Sequence, residues 1–453
     1  METEITIEKF SKRGWGVGLY NSSLVEVPHG LVGDKVLVDL RSKRKRLRKG
    51  RLLQVLQASK DRRPPKCPHT RLCGGCMWQE YDYSSQLKQK DAWIQEAFSF
   101  AMKKGATIYP IAACASPFFY RNKMEFSFSE NAAGTKYLGL MIAGANHYVF
   151  NLEKCFLAGE WFEKVVNQVR SWWEKSSLHA FRPNSETGEL LTLTLREGKN
   201  TQEKLVILTA IASDKMEKEV LESFVKEILK ILPLEKLSIV LRLKYQKKGS
   251  ATTWEEKTLL GKGFIFEKYH FQEKEIFMKV SPTSFCQPNT LQAEKLYEKA
   301  FELLRLTKEE VLLDLYSGSG SLAMMGSYFA KKVIALELNP FSIEDAKENL
   351  KLNQITNVEF LEGDVGKILA EKGLHADALI VDPPRAGLTP LAIAQILKIN
   401  PKRMVYISCN PISQAKDLES LMEGGFMPSS IYPYDQFPQT AHIENVLLLE
   451  KKP

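Results

Sequence analysis

Five apolar runs in the last third of the chain constrain its fold more than any other feature. VLLDL (311–315), KKVIALELN (331–339), VEFLEGD (358–364), ADALIVDPP (376–384) and MVYISCN (404–410) are separated by stretches with helical spacing. Strands apolar on both sides need a sheet covered on both faces, and helices between them supply the cover. The pattern predicts an α/β unit over residues 281–453 with a doubly wound, Rossmann-like parallel sheet. Ligands of such a sheet bind beyond the carboxyl ends of its strands. VLLLEKK (446–452) is expected as the last, edge strand.

The chain before this unit reads differently. ITIEKF, SLVEVPHG, DKVLVDL and RLLQVLQAS are short β-branched runs broken by glycine turns, the spacing of a small β-barrel over residues 1–60. DRRPPKCPH (61–69) marks a boundary. Residues 61–280 then mix strand-like and helical pieces outside βαβ order, starting with a helix expected over about 84–103, and predict a central α+β domain. No apolar run approaches the roughly 18 residues of a membrane span, and the first residues lack a signal-peptide pattern. No membrane partner is therefore expected; the clustered cysteines of a chain read this way point to a cytoplasmic setting, and the lack of an interface-like apolar helix to a monomer.

Charge is concentrated at one end. The net charge is +9, and residues 1–60 carry 13 Lys/Arg against 6 Asp/Glu. RSKRKRLRKGR (41–51) holds eight basic residues in eleven positions and points to a polyanion, RNA before DNA since no recognition helix accompanies it. Tyr120-Arg121-Asn122-Lys123, basic with an aromatic beside it, suits RNA contact or equally a strand start with solvated charges.

Acidic residues line the expected ligand edge. Asp314 leads Leu-Tyr-Ser-Gly-Ser-Gly-Ser321, whose glycines let a ligand approach the backbone; Glu337 follows 23 residues later, where an acid can accept ribose hydroxyls. Asp364 and Asp382 end the next two strands, and Asp382-Pro-Pro-Arg385 is a rigid turn aiming its acid into the cleft. Arg385 stands where enzymes methylating amino groups of bases place an aromatic.

Seven cysteines exclude a disulfide scaffold. Cys67, Cys73 and Cys76 offer three thiolates on a Gly-rich loop, with Cys155 or Cys114 as a fourth; the spacing admits four-cysteine zinc or an iron–sulfur cluster equally. Cys409 ends a strand at the ligand edge, a position more often structural than reactive.

Three separated segments, DPPRAG (382–387), MVYISCNPIS (404–413) and YDQFPQTAHIE (434–444), resemble the RNA uracil-5-methyltransferase family, and YRNKMEFSF, SPTSFCQPN, the CGGC segment and the basic barrel extend the likeness over nearly the whole chain. The resemblance implies Cys409 as the nucleophile that adds to uracil C6 and Glu444 as the base that removes the C5 proton. It implies S-adenosyl-L-methionine contacts at Gln287, Tyr316, Ser321, Glu337, Asp364 and Asp382. It favours a structural [4Fe–4S] cluster on Cys67, Cys73, Cys76 and Cys155, and a TRAM-like role for the barrel. Ser321, Cys286, Ser413 and Asn445 depart from the usual family residues, and none removes a catalytic group. The basic barrel with a cysteine cluster favours ribosomal RNA, 23S in particular, over transfer RNA uridine-54. The rival from another class is a non-catalytic RNA-binding or RNA-folding protein on the same frame.

Overall fold

A computed structural model describes residues 1–40, 47–145, 148–245 and 252–451. Most of the basic run, residues 41–46, lies outside the described residues.

Strands β1 (Glu2–Phe10), β2 (Gly16–Tyr20), β3 (Ser23–Val27), β4 (Lys35–Leu40) and β5 (Leu47–Gln57) close a barrel in the order β1-β2-β3-β5-β4. Alternation turns Ile5, Ile7, Val25, Val27, Val36 and Val38 inward. The sequence expectation lacks β2, because GVGLY reads as a turn. Its glycines are there for contact: a Cβ on Gly18 would stand 2.2 Å from the Thr6 carbonyl oxygen.

Helices α1 (Tyr83–Ala97) and α2 (Ser99–Met102) fill the span where one helix is expected, followed by β6 (Thr107–Ile108). The central sheet has seven strands, β7 (Lys123–Glu130), β8 (Lys136–Met141), β9 (Val149–Asn151), β10 (Leu190–Glu197), β11 (Lys204–Ile211), β12 (Leu237–Tyr245) and β13 (Thr253–Leu260), ordered β13-β12-β11-β10-β7-β8-β9. The amphipathic helices α3 (Glu160–Lys175) and α4 (Lys218–Leu229) bury Phe162, Val165, Val169, Trp173 and Phe224 against one face of it.

The hairpin β14 (Ile265–Phe271) and β15 (Lys274–Val280) leads into α5 (Thr290–Leu304). The doubly wound sheet follows with β16 (Val311–Leu315), β17 (Lys332–Glu337), β18 (Val358–Glu362), β19 (Ala378–Val381), β20 (Arg403–Ser408), β21 (Phe426–Tyr434) and β22 (Glu444–Lys451). Its helices are α6 (Ser321–Ser327), α7 (Pro340–Leu352), α8 (Val365–Lys372), α9 (Pro390–Ile399) and α10 (Pro411–Glu423). The strand order β18-β17-β16-β19-β20-β22-β21-β6 reverses direction on either side of β16, which makes the carboxyl ends of β16 and β19 the switch point.

One expectation is corrected. VLLLEKK is not an edge strand: β22 lies between β20 and β21, and the edge is the two-residue β6 from the N-terminal half. The boundary at 280 is interleaved, since Tyr269, Phe271, Ile276 and Met278 of the hairpin share a core with α5 and the doubly wound sheet. Ile94 and Phe98 of the α1–α2 stretch enter the core on that sheet's other face.

Candidate active site

The first turn of the doubly wound sheet is built for close approach. β16 ends at Leu315, and Tyr316 follows in the left-handed region (φ 65°), a backbone cost of order 1 kcal/mol or more. Gly318 (φ 53°) has open space where a Cβ would stand, and its N–H donates to Glu337 Oε2 at 2.8 Å. Gly320 (φ 85°) has no such room, because a Cβ there would meet Phe360 at 2.8 Å. Glu337 also accepts the Asn339 N–H at 2.8 Å, which fixes both of its oxygens at the tip of β17. Ser321 opens α6.

Asp314 is fully buried, and neither of its carboxylate oxygens meets a hydrogen-bond partner of good geometry. Burial, then Asp382 and Glu337, push it well above the ordinary carboxylate range, while the Ala323 N–H at the first turn of α6 draws it down. Burial pushes Asp382 up to about 7. Acids gathered this way without a matching cation are poised for a cationic ligand. Asp314 is absent from the sequence-derived contact set; its place on a buried strand, facing the next acid, could have put it there. The gathered acids and the open space at Gly318 fit S-adenosylmethionine, which carries a sulfonium and an ammonium group.

The other expected contacts surround this edge. Gln287 is buried; its carbonyl accepts from Asn122 Nδ2 at 2.9 Å and its side-chain oxygen lies 3.5 Å from Gln436 Nε2. Asp364 caps α8 by accepting the Lys367 N–H at 3.0 Å, a structural duty for one of its oxygens, and its charge reaches Tyr316.

Cys409 follows β20, and Glu444 opens the neighbouring β22, buried to 2% exposure. The two acids and the thiol act on one another electrostatically: burial, then Glu444 and Asp382, raise the Cys409 thiol, and Arg385 lowers it by charge and by hydrogen bonding. Glu444 is pushed well above its ordinary range by burial and Asp382, with Arg385 again opposing. The Arg385 backbone carbonyl accepts from Asn410 Nδ2 at 2.9 Å and Ser413 Oγ at 3.1 Å, so the arginine is fastened to the cysteine loop; its guanidinium lies 3.3 Å from His442 Nδ1. Ser413, one of the departures from the family, makes the second of these hydrogen bonds. Cys409 and His442 open onto a cavity of about 840 Å³ whose far wall is the barrel, at Lys9, Lys12, Leu24 and Leu47.

The barrel presents cations over rings: Arg13 and Lys49 each 5.3 Å from the Trp15 ring centre, and Arg48 5.9 Å from that of Tyr20. The Tyr120–Lys123 motif does not join this surface. Tyr120 and Asn122 are buried, the tyrosine hydroxyl donating to the Pro438 carbonyl at 3.1 Å, while the half-buried Arg121 and Lys123 line the cysteine cavity and Lys123 opens β7, the expected strand start.

Cys67, Cys73, Cys76 and Cys155 all line a second cavity, of about 550 Å³, together with Gly74, Gly75 and Arg121. Burial raises all four, Cys73 to about 11, and the neighbouring thiols add to the rise at Cys67, Cys73 and Cys76. Cys114 is elsewhere, its thiol on the Ser116 carbonyl at 3.1 Å. Among the described residues, no three His, Cys, Asp or Glu side chains are drawn together tightly enough for a single ion. Cys286 accepts from the buried Arg196 guanidinium at 3.0 Å. No helix among the described residues is long and apolar enough to cross a membrane.

The profile of the family described as tRNA (uracil-5-)-methyltransferase matches residues 201–365 and 367–452. An uncharacterized RNA methyltransferase of Protochlamydia amoebophila is 40% identical over 440 residues, covering 94% of this chain and 99% of the relative. One from Clostridium tetani is 31% identical over 453 residues, covering 100% and 98%. Among solved structures, the Pyrococcus abyssi tRNA (uracil-54, C5)-methyltransferase in complex with S-adenosyl-L-homocysteine shares the fold at a TM-score of 0.77, with 23% identity over 98% of this chain and 99% of that one.

Proposed function

The chain belongs to the tRNA (uracil-5-)-methyltransferase family and is an S-adenosylmethionine-dependent RNA methyltransferase; from that premise we propose that it methylates C5 of a uridine in 23S ribosomal RNA through a covalent Cys409 adduct. The observation carrying the mechanism is that Cys409 and Glu444 stand at the adjacent ends of paired strands, Ser408 opposite Asn445, with Asp382 and Arg385 acting on both.

Uracil C5 is too weak a nucleophile to take a methyl group unaided. The Cys409 thiolate forms a bond to C6, and the electron pair displaced from the C5–C6 double bond makes the ring an enolate. C5 then attacks the sulfonium methyl; the methyl–sulfur bond breaks and its electron pair leaves with neutral S-adenosylhomocysteine. Glu444 takes the C5 proton, the C5–C6 double bond re-forms, and the thiolate is expelled. A carboxylate of raised proton affinity suits that last task. Gln287, Tyr316, Ser321, Glu337, Asp364 and Asp382 would hold the methyl donor, with Asp314 added beneath it. The cavity at Cys409 is large enough to receive a nucleotide turned out of its stack.

The four thiols lining the second cavity would hold a [4Fe–4S] cluster, the reading that the family resemblance favours over four-cysteine zinc. Such a cluster would order the loop between the barrel, with its TRAM-like role, and the central domain. The ribosomal substrate rests on the basic charge of residues 1–60 together with the cysteine cluster. Transfer RNA is the second reading, because the shared fold with the Pyrococcus protein spans the barrel as well.

The test is methyl transfer from labelled S-adenosylmethionine to unmodified 23S ribosomal and transfer RNA transcripts, with the product nucleoside identified. Wild type should give 5-methyluridine in ribosomal RNA; label in transfer RNA only would overturn the substrate choice. Cys409→Ala should lose transfer while binding the cofactor. Glu444→Gln should slow turnover by roughly 10²–10⁴-fold and trap a protein–RNA adduct. An active Cys409→Ala protein would overturn the covalent route. Purified wild type should contain iron and acid-labile sulfide, both lost in Cys76→Ser; zinc in their place would overturn the cluster.

A further inference from the structure

We infer that Lys90, Asp435 and Tyr83 are positioning residues for Glu444, clamping the segment that delivers it and so governing release of the RNA adduct more than methyl transfer. The inference rests on the covalent mechanism above. Residues 435–443 connect the paired strands β21 and β22, whose ends Tyr434 and Glu444 are register partners. The segment is polar, yet Asp435, Gln436, Gln439 and Thr440 are all buried.

Its anchors come from far away in the chain. Lys90 Nζ donates to Asp435 Oδ1 at 2.6 Å, with both side chains at 0% exposure, and lies 3.4 Å from the Phe437 carbonyl oxygen. Tyr83 OH donates to Asp435 Oδ2 at 2.7 Å. Gln86 and Gln439 bond twice, the Gln439 N–H to Gln86 Oε1 at 3.0 Å and Gln86 Nε2 to Gln439 Oε1 at 3.1 Å. Tyr83, Gln86 and Lys90 lie on one face of α1 at helical spacing, while Gln89, Trp93 and Glu96 line the cavity that faces the barrel.

A buried ion pair adds little stability over an apolar pair of the same volume, and what it supplies is a single geometry. Here that geometry belongs to the strand start that carries Glu444. Cys409 is held by a different set of contacts, through the Asn410 and Ser413 bonds to Arg385. Disturbing the clamp should therefore separate the two halves of the reaction.

The experiment follows single turnovers of full-length Asp435→Asn, Lys90→Met and Tyr83→Phe on the transcript that the wild type methylates. Two rates are read: methyl incorporation into total RNA, and decay of the denaturant-resistant protein–RNA band. Incorporation should stay within about threefold of wild type while decay slows at least tenfold in Asp435→Asn and less in Tyr83→Phe. Parallel loss of both rates, or unchanged decay, in protein that binds S-adenosylhomocysteine normally would overturn the inference. Glu444→Gln is run beside them: if it traps the adduct and the clamp variants do not, the clamp alone fails. If Glu444→Gln traps nothing, the base assignment fails first. Should Lys90→Met not fold, the isosteric Asp435→Asn and Tyr83→Phe carry the same two readings.

Discussion

The cofactor edge and the 435–439 segment bury acids within one domain under opposite conditions. At the edge, Asp382 acts on both Asp314 and Glu444, and among the described residues Asp314 has no cation beside it, only the Ala323 N–H drawing it down. In the segment, Asp435 meets an ammonium and a hydroxyl, both under 3 Å away. An unpaired buried charge in a native structure needs a reason, and a ligand that brings the missing positive charge supplies one. A paired one is explained by the fold alone. Burial by itself thus does not mark a functional acid; burial without a partner does.

Neutralising one group in each region should move stability in opposite directions. Lys90→Met leaves Asp435 buried without its cation and should cost about 3–5 kcal/mol of unfolding free energy. Asp314→Asn removes an unpaired acid and should raise the stability of the cofactor-free protein by about 0.5–2 kcal/mol while weakening S-adenosylhomocysteine binding. Denaturant midpoints and calorimetric binding read both. Loss of stability in both variants would end the distinction between the two regions.

The same contrast predicts a pH dependence. Asp382 titrates near 7 in the folded protein, against about 3.9 for an unfolded aspartate. Between those values the folded state holds a proton that the unfolded state releases, so stability should fall as pH rises from about 4 to 7. The window belongs to the interacting acids as a group. Saturating S-adenosylmethionine, or Asp382→Asn, should flatten the fall; an equally steep curve in either case would show that these acids do not sense the ligand site.

What is legible in the chain divides along this line too. The cofactor edge can be read because parallel strands announce themselves as apolar runs and place their last residues together. Two features mislead. β21 contains Pro428 and Pro433, which read as breaks; in the fold Pro428 sits at a register shift, and β6 pairs only with Ser430 and Ile431. The burial of Tyr120 within its basic motif is not legible because its tie, Pro438, lies 318 residues away. Lys90 is invisible for the same reason: on a polar helix it reads as a solvated charge, and its partner is 345 residues distant. Local pattern reports periodicity, and long-range polar pairs leave no periodicity behind.

Arg385 sharpens the comparison from inside the cleft, where it supplies the positive charge beside Cys409. Asp382 and Glu444 disfavour the thiolate and Arg385 favours it, so Arg385→Gln should move thiol ionisation to higher pH, by about one unit. Alkylation of the Cys409 peptide across pH, followed by mass spectrometry, reads this directly. An unmoved alkylation curve would remove Arg385 from thiol activation and leave it a tie to Asn410 and Ser413 alone.

The smallest effect is expected at the barrel, which tests whether charge there serves binding alone. Arg13, Arg48 and Lys49 stand over the Trp15 and Tyr20 rings of the barrel whose Lys9, Lys12, Leu24 and Leu47 wall the cavity of Cys409. Each phosphate left without its cation should reduce the slope of log affinity against log salt by about 0.7–0.9. Changing all three to Gln should flatten the slope by about 2 and leave single-turnover methyl transfer at saturating RNA unchanged, because none of them reaches the reacting atoms. Removing the same charge from Lys218, Lys226 and Lys230, on and just beyond α4, is the control. Equal flattening in both sets would mean that RNA answers to net charge and not to the barrel face. A fall in the methyl-transfer rate of the barrel variant alone would mean that this face also aligns the uridine, joining the binding surface to the cleft it borders.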